Sequence, residues 1–381
     1  METNIKSKVL DEFQEITTTL INPYLKEWKE NGGKIMGYFC THVPDELITA
    51  AGMYPFRMRA TGSTGTDLAD AYFITINCSF PRHLFNLAMR GEFEILDGLI
   101  VPNSCDHVRR IYDNWIRQID KPSFVRMFNL TKQATDHAVE WYRDEVLFIK
   151  NDLEENFGVK ITADDLKEAI KIHNETRRLL RQLYDLRKLD NPPITGEQAL
   201  AAVVASTAIP REKYNSMLKE LLEELKSAEG IKDYKFRLMI AGGILDDPEY
   251  MNIVEDHGGL VVTDYLCFGT RLFLVDIDEE GDPIEAIARY QVQQRPTCPR
   301  TYGDQPRRAQ FMRDLIKDFK VDGVVGERLL FCDSWLMEHY MNKQDLKELG
   351  VPFLQLDREY ILAGKGQLRT RMQAFLEMIG G

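Results

Sequence analysis

Asp97-Gly98-Leu99-Ile100-Val101-Pro102-Asn103-Ser104-Cys105-Asp106 is the run that decides how this chain is read, because an echo of it returns in the second half. The echo is Asp322-Gly323-Val324-Val325-Gly326, continued by Leu329-Leu330-Phe331-Cys332-Asp333. Each copy holds a short apolar run, which predicts a buried strand. Each then passes through a loop to a cysteine at the mouth of a helix, one ending at Trp115 and the other opening on Ser334-Trp335-Leu336-Met337. A helix N-terminus lowers the pKa of a thiol and favours the thiolate, the form that ligates metals. Two such cysteines in equivalent units, facing each other across a cleft, suit a shared metal or iron–sulfur site.

Around these runs strands alternate with helices. Lys34-Ile35-Met36-Gly37-Tyr38-Phe39 reads as a strand ending at Cys40, and Pro44 opens a helix closed by Gly52. Residues 54–58 and 121–127 read as further strands, and 82–90 as a helix. Ahead of them, Val9, Phe13, Ile16, Leu20 and Tyr24 predict a helical lead-in over residues 1–30. From Thr162 to about Gly230 the strand signal disappears. Thr162 caps one helix, Thr195-x-x-Gln198 forms a capping box for a second, and Pro210 opens a third. A second alternating unit begins at Tyr234-Lys235-Phe236-Arg237-Leu238-Met239-Ile240.

The expected organisation is therefore a lead-in (1–30), an α/β domain (31–158), a helical connector (159–231) and a second α/β domain (232–381), a pseudo-duplicated protein with mainly parallel sheets. Shorter echoes agree: Cys78-Ser79-Phe80-Pro81-Arg82 with Cys298-Pro299-Arg300, and Lys121-Pro122-Ser123-Phe124 with Val351-Pro352-Phe353. In such sheets ligands bind beyond the carboxyl ends of the strands, where Cys40, Cys105 and Cys332 fall.

Composition narrows the function. A formal charge of −12 with no basic stripe argues against nucleic-acid binding. Met1-Glu2-Thr3-Asn4-Ile5 carries no secretory pattern, and the apolar runs are too short for a membrane span, so a reducing cytoplasm without disulfides is expected. None of the six cysteines forms a C-x-x-C pair. Taken singly, each reads as a small buried apolar side chain.

With the cysteines so placed, the chain resembles the benzoyl-CoA reductase / 2-hydroxyacyl-CoA dehydratase family, roughly from Gly37 to the C-terminus. The resemblance rests on Pro44-Asp45-Glu46-Leu47-Ile48-Thr49-Ala50-Ala51-Gly52, on Pro102-Asn103-Ser104-Cys105-Asp106-His107-Val108-Arg109-Arg110, and on Cys332-Asp333. The stretch from Cys105 to Trp115 is most similar to the smaller cluster-binding subunit of ATP-dependent benzoyl-CoA reductases. The resemblance implies two flavodoxin-like domains with a [4Fe–4S] cluster at their interface, ligated by Cys78, Cys105 and Cys332 with a non-protein ligand or substrate on the fourth iron. Cys298 echoes Cys78 and is a substitute or additional ligand. A related cluster-binding subunit, an acyl-CoA substrate and a separate ATP-hydrolysing iron–sulfur activator are implied as partners. This chain itself has no G-x-x-x-x-G-K-[ST] phosphate loop. The activity implied first is one-electron reduction of an aromatic acyl-CoA ring to a cyclic dienoyl-CoA; dehydration of a 2-hydroxyacyl-CoA, or electron relay alone, are the alternatives.

Glu46 and His42 lie past the first strand and are the candidates for proton transfer, although Pro44-Asp45-Glu46 is equally an ordinary charge-compensated helix start. His107, Arg109 and Arg110 follow Cys105 as a solvated face, as hydrogen-bond support for the ligands, or as a contact between subunits. Arg295, Arg300, Arg307, Arg308 and Arg313 surround Cys298. Guanidinium forks there suit the phosphates of CoA or an electron-donating partner; pairing with the chain's 60 acidic residues is the competing reading. Gly242-Gly243 after a strand is a weak phosphate signal.

Overall fold

The computed structural model describes residues 5–362 and 364–381, so residues 1–4, four of the five positions read above for a leader, lie outside the described residues. The fold is α/β, with two flavodoxin-like domains. The first sheet is built from β1 (Ile35–Tyr38), β2 (Tyr54–Arg57), β3 (Gly98–Pro102) and β4 (Phe124–Phe128), in the order β2-β1-β3-β4. The second uses β5 (Phe236–Gly242), β6 (Gly259–Tyr265), β7 (Gly323–Leu329) and β8 (Phe353–Arg358), in the order β6-β5-β7-β8. Every neighbouring pair is parallel. The strands β3 and β7 are buried along their whole length, as central strands covered on both faces must be.

The echo between the two halves of the chain has a structural cause. Asp97 accepts a hydrogen bond from the backbone N–H of Ile35 at 2.9 Å and donates its own N–H to the Ile35 carbonyl at 2.9 Å. Asp322 makes the same pair with Arg237, at 2.7 Å each way. Each aspartate thus clasps the start of the neighbouring strand, β1 or β5, and fixes its register with β3 or β7. The glycine that follows lets the chain pack closely: a Cβ on Gly98 would lie 2.5 Å from Met36 Cε, and one on Gly323 would lie 2.8 Å from Ile379 Cδ1.

The expected single lead-in helix is two. Ser7, whose side chain accepts from Leu10 N–H, caps Lys8–Thr18, and Asn22-Pro23 starts Pro23–Glu30. Proline at the first helical position cannot continue a preceding helix but begins a new one well. The connector helices Ala163–Leu186, Gly196–Ala205 and Arg211–Leu225 form as expected, with full capping boxes at Thr162/Asp165 and Thr195/Gln198.

Packing departs from two self-contained halves. Val9, Leu10, Phe13 and Ile16 of the first helix sit in one core with the connector helices and with Met239, Leu260 and Val324 of the second sheet. In exchange, Ile277, Ala286, Ile287, Ala288, Tyr290 and Val292 pack in the core of the first sheet with Met36, Ile100, Tyr142 and Ile149. A second tie is Tyr360, beyond β8. Its N–H donates to Ser79 Oγ at 2.8 Å, while its hydroxyl accepts from Ala60 N–H at 3.0 Å and donates to Asp246 Oδ2 at 2.7 Å.

Candidate metal centre

In a 2-1-3-4 sheet the crevice opens where the strand order reverses, between the first and third strands. Cys40 follows β1 and Cys105 follows β3, so they flank that point in the first sheet; Gly243 and Cys332 flank it in the second. Three cysteines occupy the cap position of helices: Cys78 before Ser79–Met89, Cys105 before Asp106–Gln118 and Cys332 before Asp333–Glu348. The turn that presents Cys332 is held by Phe331 in a left-handed conformation, with φ 65°. For a bulky aromatic residue that is a strained geometry, of the kind surrounding structure must enforce.

The thiols sense one another's charge: Cys332 feels Cys78, Cys105 and Cys298, Cys78 feels Cys105, and Cys105 feels Cys298 and Cys40. The backbone N–H groups of Phe80, Val108 and Trp335 favour the thiolates, and Val108 N lies 3.5 Å from Cys105 Sγ. Burial nevertheless wins in the polypeptide alone: Cys78 is pushed up to about 12, Cys105 up to about 11, and Cys332 well above the ordinary thiol range. The capping N–H groups lower each thiol as expected, while desolvation of the anion outweighs one or two amide dipoles. Only a strong local positive charge reverses that balance, and coordinating metal does so, deprotonating its thiols outright. A set of soft thiols from both domains, Cys78 buried and Cys105 and Cys332 partly so, fits iron–sulfur ligation.

His107 joins two of these positions. Its Nδ1 accepts the backbone N–H of Cys78 at 3.2 Å, while the residue itself sits in the first turn after Cys105. Arg109 and Arg110 make exposed pairs with Asp106 and Asp113 instead. Cys298 lies in a turn, so its echo of Cys78 does not extend to a helix cap. Cys267 senses the charges of Cys298 and Cys40, and Arg271 Nη1 donates to Cys267 Sγ at 3.2 Å. All six cysteines are free thiols. The glycines after β5 serve packing: a Cβ on Gly242 would sit 2.3 Å from Glu327 Oε1, and one on Gly243 would sit 3.0 Å from Trp335.

A match to the family described as "2-hydroxyglutaryl-CoA dehydratase, D-component" runs over residues 40–379 and so takes in all six cysteines. The chain belongs to this family. Among curated relatives, this chain is similar to the (R)-phenyllactyl-CoA dehydratase beta subunit of Clostridium sporogenes, 24% identical over 98% of this chain and 99% of that one. It is also similar to a benzoyl-CoA reductase subunit of Thauera aromatica, 26% identical over 86% and 87%, and to the (R)-2-hydroxyglutaryl-CoA dehydratase beta subunit of Acidaminococcus fermentans, 24% identical over 98% and 99%. These relatives are subunits of dehydratases and a reductase. Among the described residues, no helix is long and apolar enough to cross a membrane.

His42 is buried, and its Nδ1 takes a hydrogen bond from Arg295 Nη2 at 3.3 Å, which leaves the ring proton on an unpartnered Nε2. Burial, then Arg295, Arg300 and Arg271, hold its pKa well below the ordinary histidine value, so it is neutral near pH 7. Glu46 is fully buried and clasped by Arg177, with His173 Nδ1 at 3.6 Å. Asp45 pairs with Arg211 at 2.5 Å. Asp45, Glu46 and His173 are close enough to hold a cation. Two guanidinium groups already occupy the two carboxylates, however, and His173 Nε2 is engaged by Thr49 Oγ1 at 2.9 Å.

The arginines around Cys298 divide. Arg308 is buried and grips Glu338 with two bonds of 2.7 and 2.8 Å, and its Nη1 donates to the Thr301 carbonyl at 3.0 Å. Arg307 pairs with Asp304 at 2.9 Å, and exposed Arg313 bonds Gln310. Arg295 and Arg300 have no carboxylate partner among the described residues; Arg300 Nη2 donates to the Asn103 carbonyl at 3.3 Å, two residues from Cys105. Sequence reasoning missed Arg57 and Arg271, also buried without a carboxylate. The available signal was a charged residue inside the apolar strand Tyr54-Pro55-Phe56-Arg57-Met58.

Proposed function

We propose that this chain is the cluster-carrying subunit of a heteromeric acyl-CoA enzyme that works by single-electron chemistry. The observation that carries the reading is that Cys78 and Cys105 from the first domain and Cys332 from the second each cap a helix, with Cys332 sensing the charge of the other two. These three would hold a [4Fe–4S] cluster, and Cys298 stands beside them as a substitute or additional ligand. Such a cluster supplies single electrons at very low potential, which no side chain can do. Cys78, His107 and Cys105 are tied by the 3.2 Å bond from Cys78 N–H, so two of the ligands move as one body.

The protein's own part is to bind, orient and protect. His42 offers a neutral ring with a free Nε2–H and is the candidate to move a proton, with Arg295 fixing its tautomer. Glu46, spent on Arg177, is assigned to orienting that ion-pair network behind it. Arg300 is the guanidinium left to meet a CoA phosphate, while Arg307 and Arg308 hold its loop. A related subunit would cover the apolar face of the helix Asp333–Glu348, where Leu336, Met337, Tyr340 and Met341 are exposed next to the metal centre. An ATP-hydrolysing activator would deliver the electron.

Two reactions fit this frame. The resemblance of the run from Cys105 to Trp115 to the smaller subunit of benzoyl-CoA reductases, with 26% identity to one such reductase subunit, favours reduction of an aromatic ring. Similarity to dehydratase beta subunits over 98% of the chain favours loss of water from a 2-hydroxyacyl-CoA. The test begins with iron and acid-labile sulfide on anaerobically purified protein, followed by electron paramagnetic resonance after reduction. About four of each per chain is expected, and a protein without iron defeats the proposal. Mass spectrometry of thioesters incubated with the full complex then separates the reactions, since one adds hydrogen and the other removes water.

A further inference from the structure

Behind β1 and the helix Asp45–Ala50 lies a cavity of about 40 Å³, lined by none of the six cysteines. Its walls carry the guanidinium groups of Arg57, Arg177, Arg211 and Arg295. Arg177 and Arg211 are matched by Glu46 and Asp45. Arg57 and Arg295, 1% and 2% exposed, face the same space with no carboxylate partner among the described residues. Their remaining bonds are few. Arg57 donates to the Cys267 carbonyl at 3.0 Å, and Arg295 donates to Thr41 Oγ1 and His42 Nδ1, each at 3.3 Å. The Nε–H of each points at no acceptor.

The charges decide what such a space can hold. Four guanidinium groups against two carboxylates leave a surplus of two positive charges on the wall. An uncompensated buried cation costs several kcal/mol, and a second one nearby adds repulsion. A metal cation would deepen that imbalance, whereas an anion removes it. The volume admits a few waters or one small ion and excludes a phosphate ester.

We infer that this cavity is a binding site for a small inorganic anion of halide size, held between Arg57 and Arg295. Its consequence reaches the metal centre through one side chain. Arg295 held by the anion keeps its Nη2 on His42 Nδ1, and so keeps the His42 proton on Nε2. The anion is a structural ligand that positions a positioning residue, and the site exists whether or not the chain carries iron.

Bromide is the probe. Crystals of the anaerobically purified full-length protein grown in bromide, measured at the bromine absorption edge, should show an anomalous peak between Arg57 and Arg295. In solution, replacing gluconate by bromide at constant ionic strength should raise the unfolding midpoint, by roughly 2 °C for each tenfold rise in bromide above its dissociation constant. Arg57→Gln should abolish that shift. If this variant does not fold, the wild-type peak and the bromide–gluconate contrast still decide. A cavity without an anomalous peak, or a midpoint indifferent to the exchange, overturns the assignment.

Discussion

Replacing Arg308 with Met removes one partner of a buried, two-bonded ion pair and leaves Glu338 charged at 3% exposure. Losing one member of such a pair costs about 3–5 kcal/mol, because the survivor is left desolvated and alone. The Arg308 bond to the Thr301 carbonyl goes as well, so the loop carrying Cys298 and Arg300 is freed at the same time. Glu338→Leu should cost a similar amount for the mirror-image reason. The double variant, Arg308→Met with Glu338→Leu, puts apolar groups on both sides and should recover to within ~1 kcal/mol of the parent, giving a coupling of about 5 kcal/mol or more. Urea unfolding of all four proteins measures this cycle. If Arg308 instead exists to grip a CoA phosphate, the single variant would unfold like the parent and lose only acyl-CoA affinity. That pattern would refute the structural role assigned to the pair.

Three further outcomes are expected. Cys105→Ser or Cys332→Ser should lose the iron measured per chain, whereas Cys267→Ser should keep it; full iron in the Cys105 variant defeats the ligand set. His339 is buried against Trp335 and Phe353 and held down to about 4, below the roughly 6.5 of an unfolded histidine. The unfolded chain then binds more protons, so stability is lost as pH falls from about 6.5 toward 4, by ~2 kcal/mol at pH about 5; in His339→Phe the pH dependence of the unfolding free energy should flatten by that amount. Tyr360→Phe strands the Ala60 N–H and Asp246 Oδ2 in a buried place and should cost about 1–3 kcal/mol in denaturant unfolding.

The readable parts of this molecule are those in which neighbours along the chain are neighbours in space. The Asp-Gly clasp and the strand after it are local, so Asp97-Gly98 and Asp322-Gly323 announce the same unit twice. Cys105 and Cys332 follow their aspartates by eight and ten positions and could be placed from those runs. Thr162 and Thr195 cap their helices through residues three positions on, which is also local. The helix Asp136–Phe157 carries a periodic stripe of Val139, Tyr142, Val146, Ile149 and Leu153, but strand–helix alternation does not require its length. What could not be read is convergence over long separations. Arg57 reaches the Cys267 carbonyl, and Arg308 spends its charge on Glu338 rather than on a ligand. Charge alone does not show which arginines will find a carboxylate, and that depended on where the helix Asp333–Glu348 comes to rest.

The exchange of core segments has a consequence for how the protein is made. The first sheet and the helix Asp136–Phe157 have left the ribosome long before Ile277–Val292, the segment that completes their core. About 120 residues separate the two, which at roughly 5–20 residues per second is on the order of 6–24 seconds of synthesis. Through that interval Met36, Ile100 and Ile149 lack part of the surface that later covers them. Val9, Phe13 and Ile16 wait in the same way for Val203, Leu218 and Leu221. Neither domain can therefore mature as it emerges, and the nascent chain exposes apolar surface for longer than two independent domains would. In the proposed ligand set, Cys78 and Cys105 would stay without Cys332 until most of the chain is out, so assembly of a shared centre would wait for the last part of translation.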